Sequence, residues 1–272
     1  MRTYLIALAL MSTSLPPIPT TQEELAAVRA DQWTAVLAGP PADAARWVAA
    51  AARLGSLEAQ AVYGQWLLEG RGVERHQTEA FKWFLKAAFQ GHAMAMNMTG
   101  RCLENGWGTP VELPAAAMWY RKAAHKGLME GMYNHANQLA AGKSVPQDDA
   151  EALAWYRNAA DLNHAKSMTK IGHYYEDGRV VAQDTEAAFF CFQQGAEGGD
   201  FRGQFNYAGM LAARGRMPEA QAWLAKVPAT ATPAYMAQAG ALLRDSPHAE
   251  FRAIGDEMLA RAAAAGVAGV AA

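Results

Sequence analysis

The side chains best able to do chemistry in this chain are seven histidines and two cysteines. Their spacing argues against a reaction. No His-Glu-x-x-His is present and no Cys/His pair stands at metal-ligand spacing, so no metal site is implied. Cys102 and Cys191 are far apart and form no Cys-x-x-Cys, which gives neither a zinc site nor a disulfide framework. The stretch AGKSV, Ala141 to Val145, has the last residues of a phosphate-binding loop. That motif needs a glycine where Asn137 stands and a strand ahead of it, so AGKSV reads as a turn and no nucleotide cofactor follows. No Gly-x-Ser-x-Gly or other nucleophile-and-base pattern is legible, and no catalytic residue and no cofactor is expected.

What does recur is a framework. FKWFLKAAFQG (Phe81 to Gly91), MWYRKAAHKG (Met118 to Gly127) and AWYRNAADLN (Ala154 to Asn163) share an aromatic pair, a basic residue, two alanines and a stop. Trp83, Trp119 and Trp155 are 36 residues apart. Gly70, Gly106, Gly142 and Gly178 keep the same step, as do Ala80, Ala116, Ala152 and Ala188. A fixed period of this size marks stacked repeats.

Each unit reads as two helices. In the first, Ala59, Tyr63 and Leu67 step at the helical period, and Gly70 stops the helix in a left-handed cap. GRGVERH is the turn, and Ala80, Trp83, Phe84, Ala87 and Ala88 make the stripe of the second helix. His76, Glu112, Asp148 and Asp184 mark the entrances to the second helices; three are acidic, as a helix dipole favours. Asp148 and Asp184 are expected N-caps. Gly64, Gly100, Ala136, Gly172 and Ala208 share a slot where a large side chain would hold paired helices apart. The tryptophan slot, whose fourth occupant is Cys191, should fill the space between units, and His135 falls in a core slot with Tyr63 and Ile171.

The expected fold is all-α: a solenoid of 36-residue two-helix repeats. Residues 1–20 form an N-terminal segment and 21–55 a capping helix pair, Glu23–Leu37 and Ala42–Leu54. Five repeats follow at 56–91, 92–127, 128–163, 164–199 and 200–227. A divergent helical cap and tail, with helices at Ala234–Arg244 and Pro247–Ala265, occupies 228–272.

Composition narrows the function classes. The chain is 51% hydrophobic and 18% charged, enough for a packed core. A formal charge of -2 from interspersed charges gives no footprint for nucleic acid and no polybasic membrane patch. Arg2 followed by Tyr4 to Met11 resembles the start of a secretory signal, but it is shorter than the usual ~15–30 residues and lacks an Ala-x-Ala ending. It is also too short to span a bilayer, which takes ~20 apolar residues. Met11 is an alternative start. The expectation is a cytoplasmic protein, or a periplasmic one if residues 1–14 act as a signal.

A 36-residue unit with YGQWLLEGRGV (Tyr63 to Val73) and WYRKAAHKG (Trp119 to Gly127) resembles the Sel-one-like repeat family, a longer cousin of the 34-residue tetratricopeptide repeat. The resemblance covers about Asp43 to Val227. It departs at Asn163, which replaces the closing glycine, and at Ser144 and Val180, which replace the second glycine of the turn. The resemblance implies a right-handed superhelix acting as an adaptor for protein complexes. Some cysteine-rich relatives have been linked to β-lactam hydrolysis. They resemble one another by a cysteine pair in each repeat, which this chain lacks. The alternative they imply is a hydrolase with a histidine or acid on its concave face.

In solenoids of this kind the first helices line the concave face. By that geometry the outward row is Ala61, Asn97, Tyr133, Thr169 and Phe205. One turn on lie Gln65, Arg101, Asn137, His173 and Gly209. Asn97, Arg101, Tyr133, Asn137, Thr169, His173 and Phe205 are the candidate ligand-binding residues. Their amides, guanidinium, imidazole and rings suit a protein or an extended peptide. Neither nucleic acid nor membrane insertion is expected.

Overall fold

The computed structural model describes residues 16–267, with sixteen helices and no strand among them. The signal-like residues 1–14, the alternative start at Met11 and the tail from residue 268 lie outside the described residues. The chain divides into two compact units, Met1–Gly127 and Leu128–Ala272.

The first unit holds α1 (Gln22–Ala26), α2 (Ala30–Ala38), α3 (Pro41–Arg53), α4 (Leu57–Glu69), α5 (Gln77–Phe89), α6 (Ala93–Asn105) and α7 (Leu113–His125). From α2 onward each helix packs on the next. Local chemistry sets the ends. The Ser56 hydroxyl accepts from the Ala59 amide at the start of α4, and His76 and His92 use Nδ1 in the same way for α5 and α6. Gly70 and Gly106 close α4 and α6 at φ 78° and 73°, where an L side chain is strained.

The helix expected over Glu23–Leu37 is broken in two, a correction to the sequence reading. Arg29 is extended, and its amide donates to the Gln32 side chain, which starts a new helix. The break turns Leu25, Val28 and Trp33 onto the core around Trp47 and Val48.

The second unit holds α8 (Met129–Ala141), α9 (Asp149–Ala160), α10 (Ala165–Asp177), α11 (Thr185–Glu197), α12 (Phe201–Ala213), α13 (Met217–Leu224), α14 (Val227–Thr230), α15 (Pro233–Arg244) and α16 (Ala249–Ala264). From α8 to α13 successive helices pack together, and α15 pairs with α16. Asp148, Asp184 and Asp200 cap α9, α11 and α12 through their carboxylates. The connector at 227–233 contains the single turn α14, with Val227 fully buried against α12.

A small residue facing an aromatic one locks each helical hairpin. A Cβ on Gly64 would sit 2.8 Å from the Phe84 ring, on Gly100 2.7 Å from Tyr120, and on Gly172 2.6 Å from Phe192. The innermost rings are therefore Phe84, Tyr120, Tyr156 and Phe192, one position beyond the tryptophan slot. Trp83 and Trp155 are only half-buried, whereas Trp119 and Cys191 are buried. One residue turns a helix by about 100°, which moves the indole off the hairpin axis and into the crevice beside it. Burying one such ring stabilises the fold by roughly 1.5–3 kcal/mol.

Candidate functional site

The small-residue slot of each first helix faces its partner helix, so it fixes which way every other position points. A residue three places earlier lies only about 60° from that slot, whereas one two places earlier lies about 160° away. The row through Asn97, Tyr133, Thr169 and Phe205 is the former and turns toward the interior. Asn97 and Thr169 are each 3% exposed, so the outward face expected for them is corrected. Thr169 is a packing knob: a Cβ on either Gly195 of α11 or Gly203 of α12 would collide with its hydroxyl, which donates to the Ala165 carbonyl. Tyr133 and Phe205 are half-buried. The Tyr133 ring rests against Tyr156 and His164, at centroid distances of 5.9 and 5.0 Å, and Phe205 sits edge-on to Tyr235 at 6.0 Å.

The next row lies at the edge of the outward face. In the first unit, Arg101 is exposed and lies over the Trp107 ring at 5.0 Å. In the second, the Asn137 carboxamide oxygen accepts from the buried Tyr156 hydroxyl at 2.7 Å, so it serves the core as well as the surface. His173 holds Glu176 with Nδ1 and Asn206 with Nε2, both at 3.0 Å. With the Asn206 amide donating, Nε2 is the acceptor and Nδ1 carries the proton.

The residues that point outward in the second unit are ones the sequence reading did not single out: Asn134 of α8, Lys170 of α10 and Asn206 of α12, all half-exposed. One turn earlier, Lys166 and Arg202 are exposed. Burial pushes the Lys170 ammonium below its ordinary value, with Arg202 and Arg179 adding to the effect and Asp200 opposing it. Arg202 lies over the rings of Phe201 and Tyr235. A cleft of about 380 Å³ opens beside the N-terminal ends of α10 and α12, lined by Met129, His164, Lys166, Asp200 and Phe201 among others. Asp200 is 5% exposed. Its Oδ2 accepts from the Gly203 amide, while its buried Oδ1 accepts from none of the described residues. Counting two places back from the small slot finds this row in the second unit, although in the first unit the same count lands on the buried Met98; the half-satisfied carboxylate has no sequence signal.

The arrangement offers acceptors and cations for holding a partner. The nearest approach to a nucleophile and base is Ser167 Oγ, 2.9 Å from His164 Nδ1. Ser167 is 0% exposed, so its hydroxyl cannot meet a substrate. Burial raises both thiols, Cys102 to about 12. His135 is buried with its ring edge-on to Trp155, the core place its slot implied. No cluster of three or more His, Cys, Asp or Glu suited to a metal occurs among the described residues. No helix among them is long and apolar enough to cross a membrane.

The Sel1 repeat matches residues 57–92, 93–128, 130–164 and 165–200. A Sel1 repeat protein from Oxalobacter formigenes is similar at 23% identity with a TM-score of 0.72, over 86% of this chain and 100% of that one. A protective antigen of uropathogenic Escherichia coli with an SLR fold is similar at 27% identity and TM-score 0.61, over 83% of this chain and 50% of that one. An immunity protein from Pseudomonas aeruginosa shares the fold at 15% identity and TM-score 0.53, over 77% and 80%. No curated protein sequence matches the chain. The fold is a helical-repeat solenoid, and with four matched repeats covering more than half of its length the chain belongs to the Sel1-repeat family.

Proposed function

We propose that this protein is a non-catalytic scaffold whose second unit holds an extended protein segment on its first-helix face. Sel1-repeat proteins are generally helical scaffolds that mediate protein interactions. The observation that carries the finer reading is Asp200. A buried carboxylate oxygen with no donor costs free energy, and native structures leave few such groups unsatisfied. Asp200 lines the cleft, and its buried Oδ1 can accept from a peptide N–H once the cleft opens around it. Asn134, Asn206 and Lys170 continue the face with amides and a cation, suited to peptide carbonyls and carboxylates.

Asp200→Asn tests this. Asparagine caps a helix as well as aspartate, so α12 keeps its start while the free acceptor is replaced by an N–H donor. Capture of a partner polypeptide from native lysate should weaken about tenfold with Asp200→Asn and with Lys170→Ala, at an unchanged melting temperature. Undiminished capture by both variants would remove the face as the site. Cytoplasmic residence belongs to the same proposal and rests on the incomplete signal pattern. A native N-terminus at Leu15 would instead mean export.

A further inference from the structure

The first unit carries a second candidate site, away from its first helices. A cleft of about 580 Å³ lies between the C-terminal ends of α5 and α7, with Met96 of α6 at its base. Its floor is aromatic. Phe89 is 71% exposed, and its ring sits edge-on to the buried Trp119 at 5.3 Å. Its rim is cationic. Arg121, Lys122 and Lys126 line it, all exposed, with the Lys122 ammonium 4.5 Å from the Trp119 ring centroid. No carboxylate lines the cleft, and none of the three cations is ion-paired among the described residues.

Ordinary helix chemistry accounts for part of this. Lys122 stands in the last turn of α7, and Lys126 is its C-cap, where cations meet the negative end of the dipole. It does not account for Phe89. The same position in the other units is Arg53, His125, Asp161 and Glu197. The one unit that places a phenylalanine at this solvent slot is the one whose neighbouring helix rings it with three bases.

We propose that this cleft binds an acidic peptide segment carrying a bulky apolar side chain. The apolar group would lie against Phe89 and Trp119, and flanking carboxylates would meet Arg121 and Lys126. A guanidinium and ammonium ions around one ring pair match closely spaced carboxylates beside a side chain. The small extent of the cleft and its few bases fit such a segment better than a flat membrane or a long nucleic acid, either of which needs a wider basic surface.

The test titrates the full chain into fluorescein-labelled hexapeptides built only from Asp, Glu, Phe and Leu, read by anisotropy. A mixture with Lys and Arg in place of the acids serves as control. The acidic mixture should bind saturably, weaken as salt is raised, and outbind the basic one. Arg121→Glu with Lys126→Glu should weaken it about tenfold or more, and Phe89→Ser about fivefold, at unchanged melting temperature. If charge reversal perturbs folding, Arg121→Gln with Lys126→Gln replaces it. Asp200→Asn should leave this binding intact, which separates it from the site in the second unit. Absence of saturable binding, indifference to the charge changes, or equal binding to oligothymidylate or phosphatidylserine vesicles would overturn the proposal.

Discussion

Val180 is exposed and held at φ 55°, in the left-handed region that a β-branched side chain seldom enters. It takes the place that Gly72 and Gly108 fill in earlier repeats, at φ 69° and 75°. At Val180 the turn keeps this geometry without the glycine, whereas Ser144, at the same place one repeat earlier, does not take positive φ. Left-handed backbone costs an L residue roughly 1–2 kcal/mol, and part of the gain from glycine is lost to the entropy of the unfolded chain. Val180→Gly should therefore stabilise the protein by about 0.5–1 kcal/mol in urea melts; a destabilised variant would mean that the side chain packs more than its exposure suggests. Asn163, at φ 65° where the other repeats have glycine, is a gentler case, since asparagine tolerates this region.

At the scale of the element, the hairpin and its turn act together. In the first unit the turn closing one hairpin seats against the N-terminus of the preceding second helix. A Cβ on Gly108 would strike the Gln77 carbonyl, and one on Gly72 the Pro41 carbonyl. Both obstacles are backbone and cannot swing aside. Gly108→Ala should therefore cost about 2–4 kcal/mol, combining positive φ with overpacking. Equilibrium unfolding checks it, and a loss below about 0.5 kcal/mol would show that the turn can lift away.

Across the whole molecule, stability is a sum of neighbour contacts, so damage should stay local. Trp119→Ala removes a buried indole and should cost about 3–5 kcal/mol. Hydrogen exchange should quicken in α5, α6 and α7 and stay slow in α15 and α16; uniform acceleration would contradict a repeat architecture. Alkaline pH offers a second global test. Burial raises the phenols of Tyr120, Tyr133, Tyr156, Tyr174 and Tyr207, lifts Tyr235 to about 12, and lifts the Cys102 thiol from about 9 to about 12. A raised value favours the protonated form in the folded state. The unfolded chain gives up its protons first, near pH 9 for the thiol and about 10 for the phenols. The stabilisation is whole below that range and declines as pH rises through the folded values. The urea midpoint should fall from pH 9 to pH 12, and phenolate absorbance should lag behind that of the denatured chain. A flat midpoint would mean these groups are open to water.

The sequence alone determined the repeat period, the two-helix unit, the glycine and aspartate caps, and the need for a small residue where paired helices meet. These follow from backbone chemistry acting over a few residues and then repeated, so a recurring letter suffices to reveal them. The positions of Asp148 and Asp184 at helix starts and of Gly70 at a helix end were legible for that reason. Only the tertiary structure decided which side of each helix meets solvent. A helix turns about 100° per residue, so an error of one position in phase sends Asn97 and Thr169 inward and leaves Lys170 and Asn206 unnoticed. It also decided that the ring after Trp83, Trp119 and Trp155 is the innermost one of its hairpin, because that ring faces the small slot. The half-satisfied Asp200 carboxylate and the cleft around Phe89 belong to the same class. Each arises where different helices converge, and no local pattern in the chain encodes that convergence.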